Sequence, residues 1–258
     1  MTRATAVTVA FIIAGLLMRG TSSAQDAPGK RSQYEVSASW LGLTPSGNVQ
    51  TNSNRVEFTS DFGIDGTQSQ AGFWFLAKPW DRSGIFAEFI PYRFKGEQTI
   101  TRSFRFGGVT YDVNEPVTAK ATLNYLSVGY HRNIINQARI AAGLLAGVAY
   151  FNLSVEANSP TVGAAEVDRR LPFPLAGLVT RYSPSPTSRF GLRGEIRGMT
   201  FGSYGSYLDV AGTFGFSLSP HSALEAGYRL IDGDGHIRTR GGSLNFHGPT
   251  ITLRVFDK

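Results

Sequence analysis

The 258-residue chain has no cysteine, which excludes a disulfide scaffold, a thiolate metal site and a cysteine nucleophile. Only 17% of its residues are charged, less than in an ordinary soluble domain. Hydrophobic residues (41%) and aromatics (12%) are too abundant for a disordered chain. Beyond residue 18 there is no apolar run of the length that a membrane-spanning helix needs, and mean hydropathy is −0.11. The 30 glycines follow no collagen period. An isoelectric point near 9.7 is a feature of nucleic-acid binders, but here the arginines are spread along the chain. No nucleic acid and no cofactor is expected.

The first 24 residues have the make-up of a secretory signal peptide. Arg3 supplies a positive charge, residues 4–18 (ATAVTVAFIIAGLLM) are apolar, and Ser22-Ser23-Ala24 places small residues before a cut at Gln25. The apolar run is shorter than the roughly 20 residues of a membrane span. Residues 25–258 then read as one domain.

What remains is dominated by period-2 patterning, with almost no helical pattern. In 34–43, Tyr34, Val36, Ala38 and Trp40 alternate with Glu35, Ser37 and Ser39. Residues 138–155, 189–199, 206–218, 223–231 and 250–255 alternate in the same way, and 70–78, 85–95, 119–131 and 170–182 do so more weakly. Short turn-rich links at 79–83, 132–137, 183–188 and 219–222 alternate with polar links at 44–67, 96–118, 157–168, 200–204 and 232–243. Ten antiparallel up-and-down strands follow, with eight if the 170–182 strand fails. In that strand Pro172 and Pro174 cannot donate to a ladder, which predicts a bulge or a strand starting near Leu175.

The faces of these strands decide the solvent. One face is broad and apolar and ends in aromatics such as Tyr150, Phe214, Phe216 and Tyr228. The other carries small residues and single charges. Lipid outside requires the first; closure removes the unpaired edges that hydrocarbon would not tolerate. With the signal peptide, the hairpin rhythm and a last strand ending Val255-Phe256, the chain resembles the small outer-membrane β-barrel proteins of Gram-negative bacteria. The resemblance implies an outer-membrane location, short periplasmic turns, contact with outer-membrane lipid and lipopolysaccharide, and handling by the barrel-assembly machinery. Such strands usually end in an aromatic; here Asp257 and Lys258 follow Phe256.

Alternation turns Glu35, Glu88, Glu195, Asp209 and Glu225 toward the same lumen as Arg139, Arg193, Arg197, Arg229 and Arg254. Five charges of each sign predict an ion-pair network plugging a narrow lumen, because buried charges must be paired. A narrow, porin-like channel for small polar solutes is the second reading. Asp232, Asp234 and His236, in a predicted outer loop, could bind a metal or activate water. Asp234-x-His236 is similar to the Asp-x-His pair of the omptin proteases, which also have ten strands, but no second Asp-x-Asp accompanies it. A turn built from Asp and Gly is the ordinary reading. His131, His221, His236 and His247 lack the His-x-Ser of outer-membrane lipid hydrolases and read as scattered solvated histidines. Phe104 and Phe106 share a face opposite Arg105 and read as a strand extension above the membrane. The expected role is structural or interactive, through the outer loops, and not enzymatic; a rim hydrolase is the least favoured reading.

Overall fold

The computed structural model describes residues 34–51, 54–80, 82–200, 205–237 and 240–257. The proposed signal peptide lies outside the described residues. The strands are β1 (Tyr34–Thr51), β2 (Asn54–Glu57), β3 (Gln68–Trp80), β4 (Ser83–Thr99), β5 (Phe104–Phe106), β6 (Val109–Tyr111), β7 (Pro116–Asn136), β8 (Ile140–Ser159), β9 (Gly163–Tyr182), β10 (Phe190–Thr200), β11 (Gly205–Ser219), β12 (Ser222–Ile237) and β13 (Arg240–Phe256). Ten of them, β1, β3, β4 and β7 to β13, pair antiparallel in chain order, and β13 pairs back onto β1 from Glu35↔Phe256 to Thr51↔Arg240. The ring is a closed ten-stranded barrel. The short β2 continues the wall beside the far end of β1, and β5 and β6 form a separate hairpin.

The pleat sorts the side chains as the sequence pattern requires. Leu208, Val210 and Phe214 on β11 are turned outward, Phe214 being 51% exposed, while Asp209 between them is buried. Ile85 and Phe89 on β4, Leu126 and Val128 on β7, and Leu144 and Val148 on β8 continue an apolar outer band. Trp80, Tyr130, Tyr182 and Phe190 ring it near the short turns, with Trp40, Tyr150 and Tyr228 toward the other end. An exposed apolar surface of this extent is stable only where hydrocarbon replaces water.

Three sequence expectations change. The polar stretches 157–168 and 232–243 are mostly ladder and not loop: β8 pairs with β9 out to Ser159↔Gly163, and β12 with β13 to Ile237↔Arg240. Their polarity reflects strands exposed beyond the apolar band. Phe104, Arg105 and Phe106 are not on an extension of the wall either; β5–β6 folds across the mouth, burying both phenylalanines and leaving Arg105 exposed. Strand β9 neither bulges nor starts late. It pairs with β8 straight through Pro172 and Pro174, while its ladder with β10 begins only at Ala176↔Gly198. Both prolines precede the first described β9–β10 pair, Ala176↔Gly198, so a donor missing on that side breaks no described ladder bond.

A related device sits between β3 and β4, whose regular register stops at Phe73↔Phe89, two residues before Pro91. The side-chain amides of Gln70 and Gln68 take over. Gln70 Nε2 donates to Arg93 O and its Oε1 accepts from Arg93 N, both at 2.8 Å; Gln68 pairs likewise with Lys95 at 2.8 and 3.0 Å. The barrel thus stays hydrogen-bonded where the backbone ladder lapses. At the far end of β1, Gly47 has φ +132, and a Cβ there would lie 2.1 Å from Ser243 O. Only glycine lets β1 approach β13 so closely.

An arginine at Val210, in the outward band, is expected to lower stability in phospholipid vesicles by about 2–4 kcal/mol in a urea refolding titration. The same substitution at Val162, in the turn between β8 and β9, should change it little. Equal effects at both sites would show that the Val210 side does not face hydrocarbon.

Candidate functional site: the lumen

The lumen is filled in two layers, and the strand faces say why. Toward the short turns, the inward positions of β1, β4 and β10 to β13 carry charges. Toward the other end, β4, β7, β8, β11 and β13 turn aromatic and aliphatic residues inward. Strand β4 shows the transition: Glu88 points inward on the same face as Phe86, Ile90, Tyr92 and Phe94. This is also why its alternation is weak in the sequence, since both of its faces are apolar for most of its length.

In the charged layer, Arg197 touches Glu88, meets Asp209 at 2.7 Å and Glu195 at 3.1 Å. Arg229 grips Asp209 through Nε at 2.9 Å and Nη2 at 2.6 Å, and reaches Glu88 at 2.9 Å. Tyr207 OH donates to Asp209 at 3.1 Å. Arg254 holds Glu225 through two N–H groups at 2.9 and 2.7 Å and also contacts Glu35. Arg193 lies 3.3 Å from both Glu35 and Glu195, with its guanidinium 5.2 Å from the Trp74 ring centroid. Glu35, 1% exposed, therefore receives Arg193, Arg254 and a third guanidinium, Arg181.

Nine of the ten charges that alternation directs inward occupy this layer. Arg139 does not. It lies in the exposed turn between β7 and β8, where its carbonyl accepts from Ser183 N at 2.8 Å. The register shift between Asn133 and Ile135 comes just before this turn, and residues 137–139 precede the start of β8, so strand parity does not extend to Arg139. Arg181 fills the fifth cationic place. It sits on β9 opposite Ala141 and Arg193, and is missed in the sequence because 170–182 alternates weakly. His131 is also corrected: it is a buried lumen residue of β7 and not a solvated strand end.

Above the charges, Phe246 stacks on Tyr92 and Phe94 with centroids at 5.3 and 5.0 Å, and Phe151 packs on Tyr125 and Tyr207 at 5.0 and 5.2 Å. The link between β1 and β3 then folds into the mouth, burying Phe58, Phe62 and Ile64. Phe62 meets Phe104 and Phe106 edge-on at 5.8 and 5.1 Å, and Tyr111 OH donates to Ala157 O at 2.9 Å. The cap is tied at two points. Arg102 grips the buried Asp61 carboxylate with two N–H groups, at 3.0 and 2.5 Å, and donates to Arg55 O at 2.9 Å. That hydrogen-bonded pairing holds the guanidinium above its usual pKa. Glu115 accepts from Ser159 Oγ at 2.5 Å and from Asp112 N at 3.2 Å, and the serine bond draws its carboxyl below the usual range.

The Asp232, Asp234 and His236 set is not in a loop. All three are on β12, where Asp232 is exposed, and Asp234 Oδ1 accepts from Ser206 N at 2.9 Å and from Ser206 Oγ at 2.5 Å. The side chain of His236 lies outside the described residues. Among the described residues, no cluster of three metal-ligating side chains occurs.

No protein-family profile and no curated protein sequence matches the chain. Solved structures do. The outer-membrane protease OmpT of Escherichia coli superposes with a TM-score of 0.57 at 11% identity, covering 92% of this chain and 100% of OmpT. The translocator domain of the autotransporter NalP from Neisseria meningitidis gives 0.43 at 9% identity, over 98% of this chain and 95% of that one. Ail, the attachment invasion locus protein of Yersinia pestis, gives 0.36 at 10% identity, over 85% and 99%. The fold is that of the small outer-membrane β-barrels, as ring closure and outward apolar band already require. At these identities the likeness shows the fold alone.

Removing Arg197 takes one cation from three carboxylates, leaving Glu88 and Asp209 to Arg229 alone and Glu195 to Arg193. Arg197→Ala is expected to cost about 3–5 kcal/mol in a urea refolding titration, because a broken buried pair leaves an uncompensated charge. Replacing Arg229 and Asp209 together by leucine should cost less than the sum of the two single changes. For Glu115, a carboxyl lowered on folding stabilises the cap above the ordinary glutamate pKa of about 4.3, and the contribution is lost as pH falls through the lowered value. Limited proteolysis between residues 100 and 115 should therefore accelerate on acidification below about pH 4, and Glu115→Gln should abolish that dependence.

Proposed function

We propose that the chain resides in the bacterial outer membrane as a non-enzymatic, non-conducting barrel whose cap and outer hairpins form its working surface. The double closure of the lumen carries this reading: five arginines against five carboxylates across the barrel, and a sealed aromatic layer with a tied-down cap above them. A conducting pore would need a continuous polar path, and Phe246, Tyr92, Phe62 and Phe104 stand across it.

The parts beyond the apolar band fit an interaction role. Strands β4, β7, β8 and β9 present mixed charges outward beyond the apolar band, among them Arg93, Lys95, Lys120, Glu156, Glu166 and Arg170. Such a girdle suits the anionic lipopolysaccharide layer, whose phosphates attract the basic groups. Recognition of Val255-Phe256 by the assembly machinery is the further partner this reading includes. Hydrolysis at the rim has little support, since Asp234 is already engaged by Ser206.

Planar-bilayer recording tests closure. The purified protein is expected to give no stepwise conductance at any voltage the bilayer withstands. Steps of reproducible size from the unaltered protein would favour a narrow channel for small polar solutes and overturn the plugged reading.

A further inference from the structure

The end of the lumen nearest the short turns holds a cavity of about 80 Å³ that the ion-pair network does not fill. Its polar lining comes from four strands: Trp74 and Lys78 on β3, His131 and Asn133 on β7, Arg181 on β9 and Arg193 on β10. Three features set it apart from the rest of the lumen. Every ionisable group among the described residues lining it is basic, with no carboxylate at its surface. Arg181 has its ion pair with Glu35, a carboxylate that Arg193 and Arg254 also contact while they reach Glu195 and Glu225. And two buried polar atoms at this place have no hydrogen-bond partner: Nδ1 of His131, which is only 3% exposed, and the indole N–H of Trp74. Buried polar atoms are seldom left unpaired, and two in the lining of one cavity point to a ligand or ordered water.

The backbone makes room for this arrangement. Gly143 on β8 faces His131, and a Cβ at that position would come within 2.3 Å of His131 Nε2 and 3.1 Å of Asn133 Oδ1. Any side chain at residue 143 would displace the imidazole.

We propose that this cavity is a binding site for a small oxyanion, a phosphate or a short carboxylate, which enters from the barrel end where β1 begins and β13 ends. The guanidinium groups of Arg181 and Arg193 supply fork-shaped donors matched to two oxygens of one anion, and Lys78 adds a point charge. The Trp74 indole N–H and the His131 ring supply the neutral donors that such a cavity needs for orientation. The volume limits the occupant to a few heavy atoms, each water needing about 10–15 Å³ on the same measure. The assignment holds for a silent barrel and a conducting one alike, since it concerns binding at one end only.

Isothermal titration calorimetry of the full-length protein in an uncharged detergent tests the site, with inorganic phosphate and acetate compared with chloride at matched ionic strength. Saturable, one-to-one heat with either oxyanion is expected, and phosphate alone, acetate alone or both would define the class bound. Lys78→Gln and Arg181→Gln should each weaken that binding at least tenfold, with folding checked by heat-modifiable gel migration. Arg181→Gln touches the ion-pair network; Lys78→Gln keeps the test decisive if that variant fails to fold. Heats no different from those of chloride, or binding unchanged in a folded Lys78→Gln protein, would overturn the assignment.

Discussion

Closure of the sheet on itself is the constraint from which the rest of the structure follows. A ten-stranded ring joined by β1 and β13 leaves no sheet edge along its band, and an apolar outer face is then free to meet hydrocarbon without exposing a backbone donor. The two places that threaten the ring are repaired in different ways. At Pro91 the amides of Gln68 and Gln70 substitute for a lapsed ladder, and Pro172 and Pro174 lie before the first described pair between β9 and β10.

Closure also fixes what the interior must do. Ten strands enclose a space too narrow to stay empty and too isolated to leave charges unpaired. The chain fills it with two chemistries stacked along the axis. The charged layer specifies cross-barrel neighbours through directional contacts, such as the two-N–H grips of Arg229 on Asp209 and Arg254 on Glu225. The aromatic layer fills volume and excludes water, and the inserted links carry it out to the mouth. Near the short turns the filling thins out, and there basic groups gather around Glu35, His131 and Trp74.

Much of this is legible in the amino-acid sequence. The alternation around Leu208, Asp209 and Val210 places each side chain on its face, and it places Glu35, Glu88 and Arg254 in the lumen. The failures are equally specific. Arg139 fell outside because parity does not survive the register shift and turn before β8. Arg181 was missed because its strand alternates poorly, and polar residues at 157–168 and 232–243 read as loops although they are ladder standing clear of the apolar band. The burial of Phe58, Phe62, Phe104 and Phe106 left no signal of period, since links fold by where they can reach.

By itself the sequence determined the up-and-down strand pattern, its approximate order of turns and which face of most strands meets lipid, while the choice of ten strands over eight waited on the pairing of β9. Those properties are local: a period of two and a turn signal are written within a dozen residues. The tertiary structure alone decided which arginine meets which carboxylate, that the first two long links seal the mouth, and that His131 and Trp74 line a basic cavity. Contacts across a barrel join residues such as Glu88 and Arg229, 141 positions apart, and their meeting depends on the shear of the closed ring, which no single strand encodes.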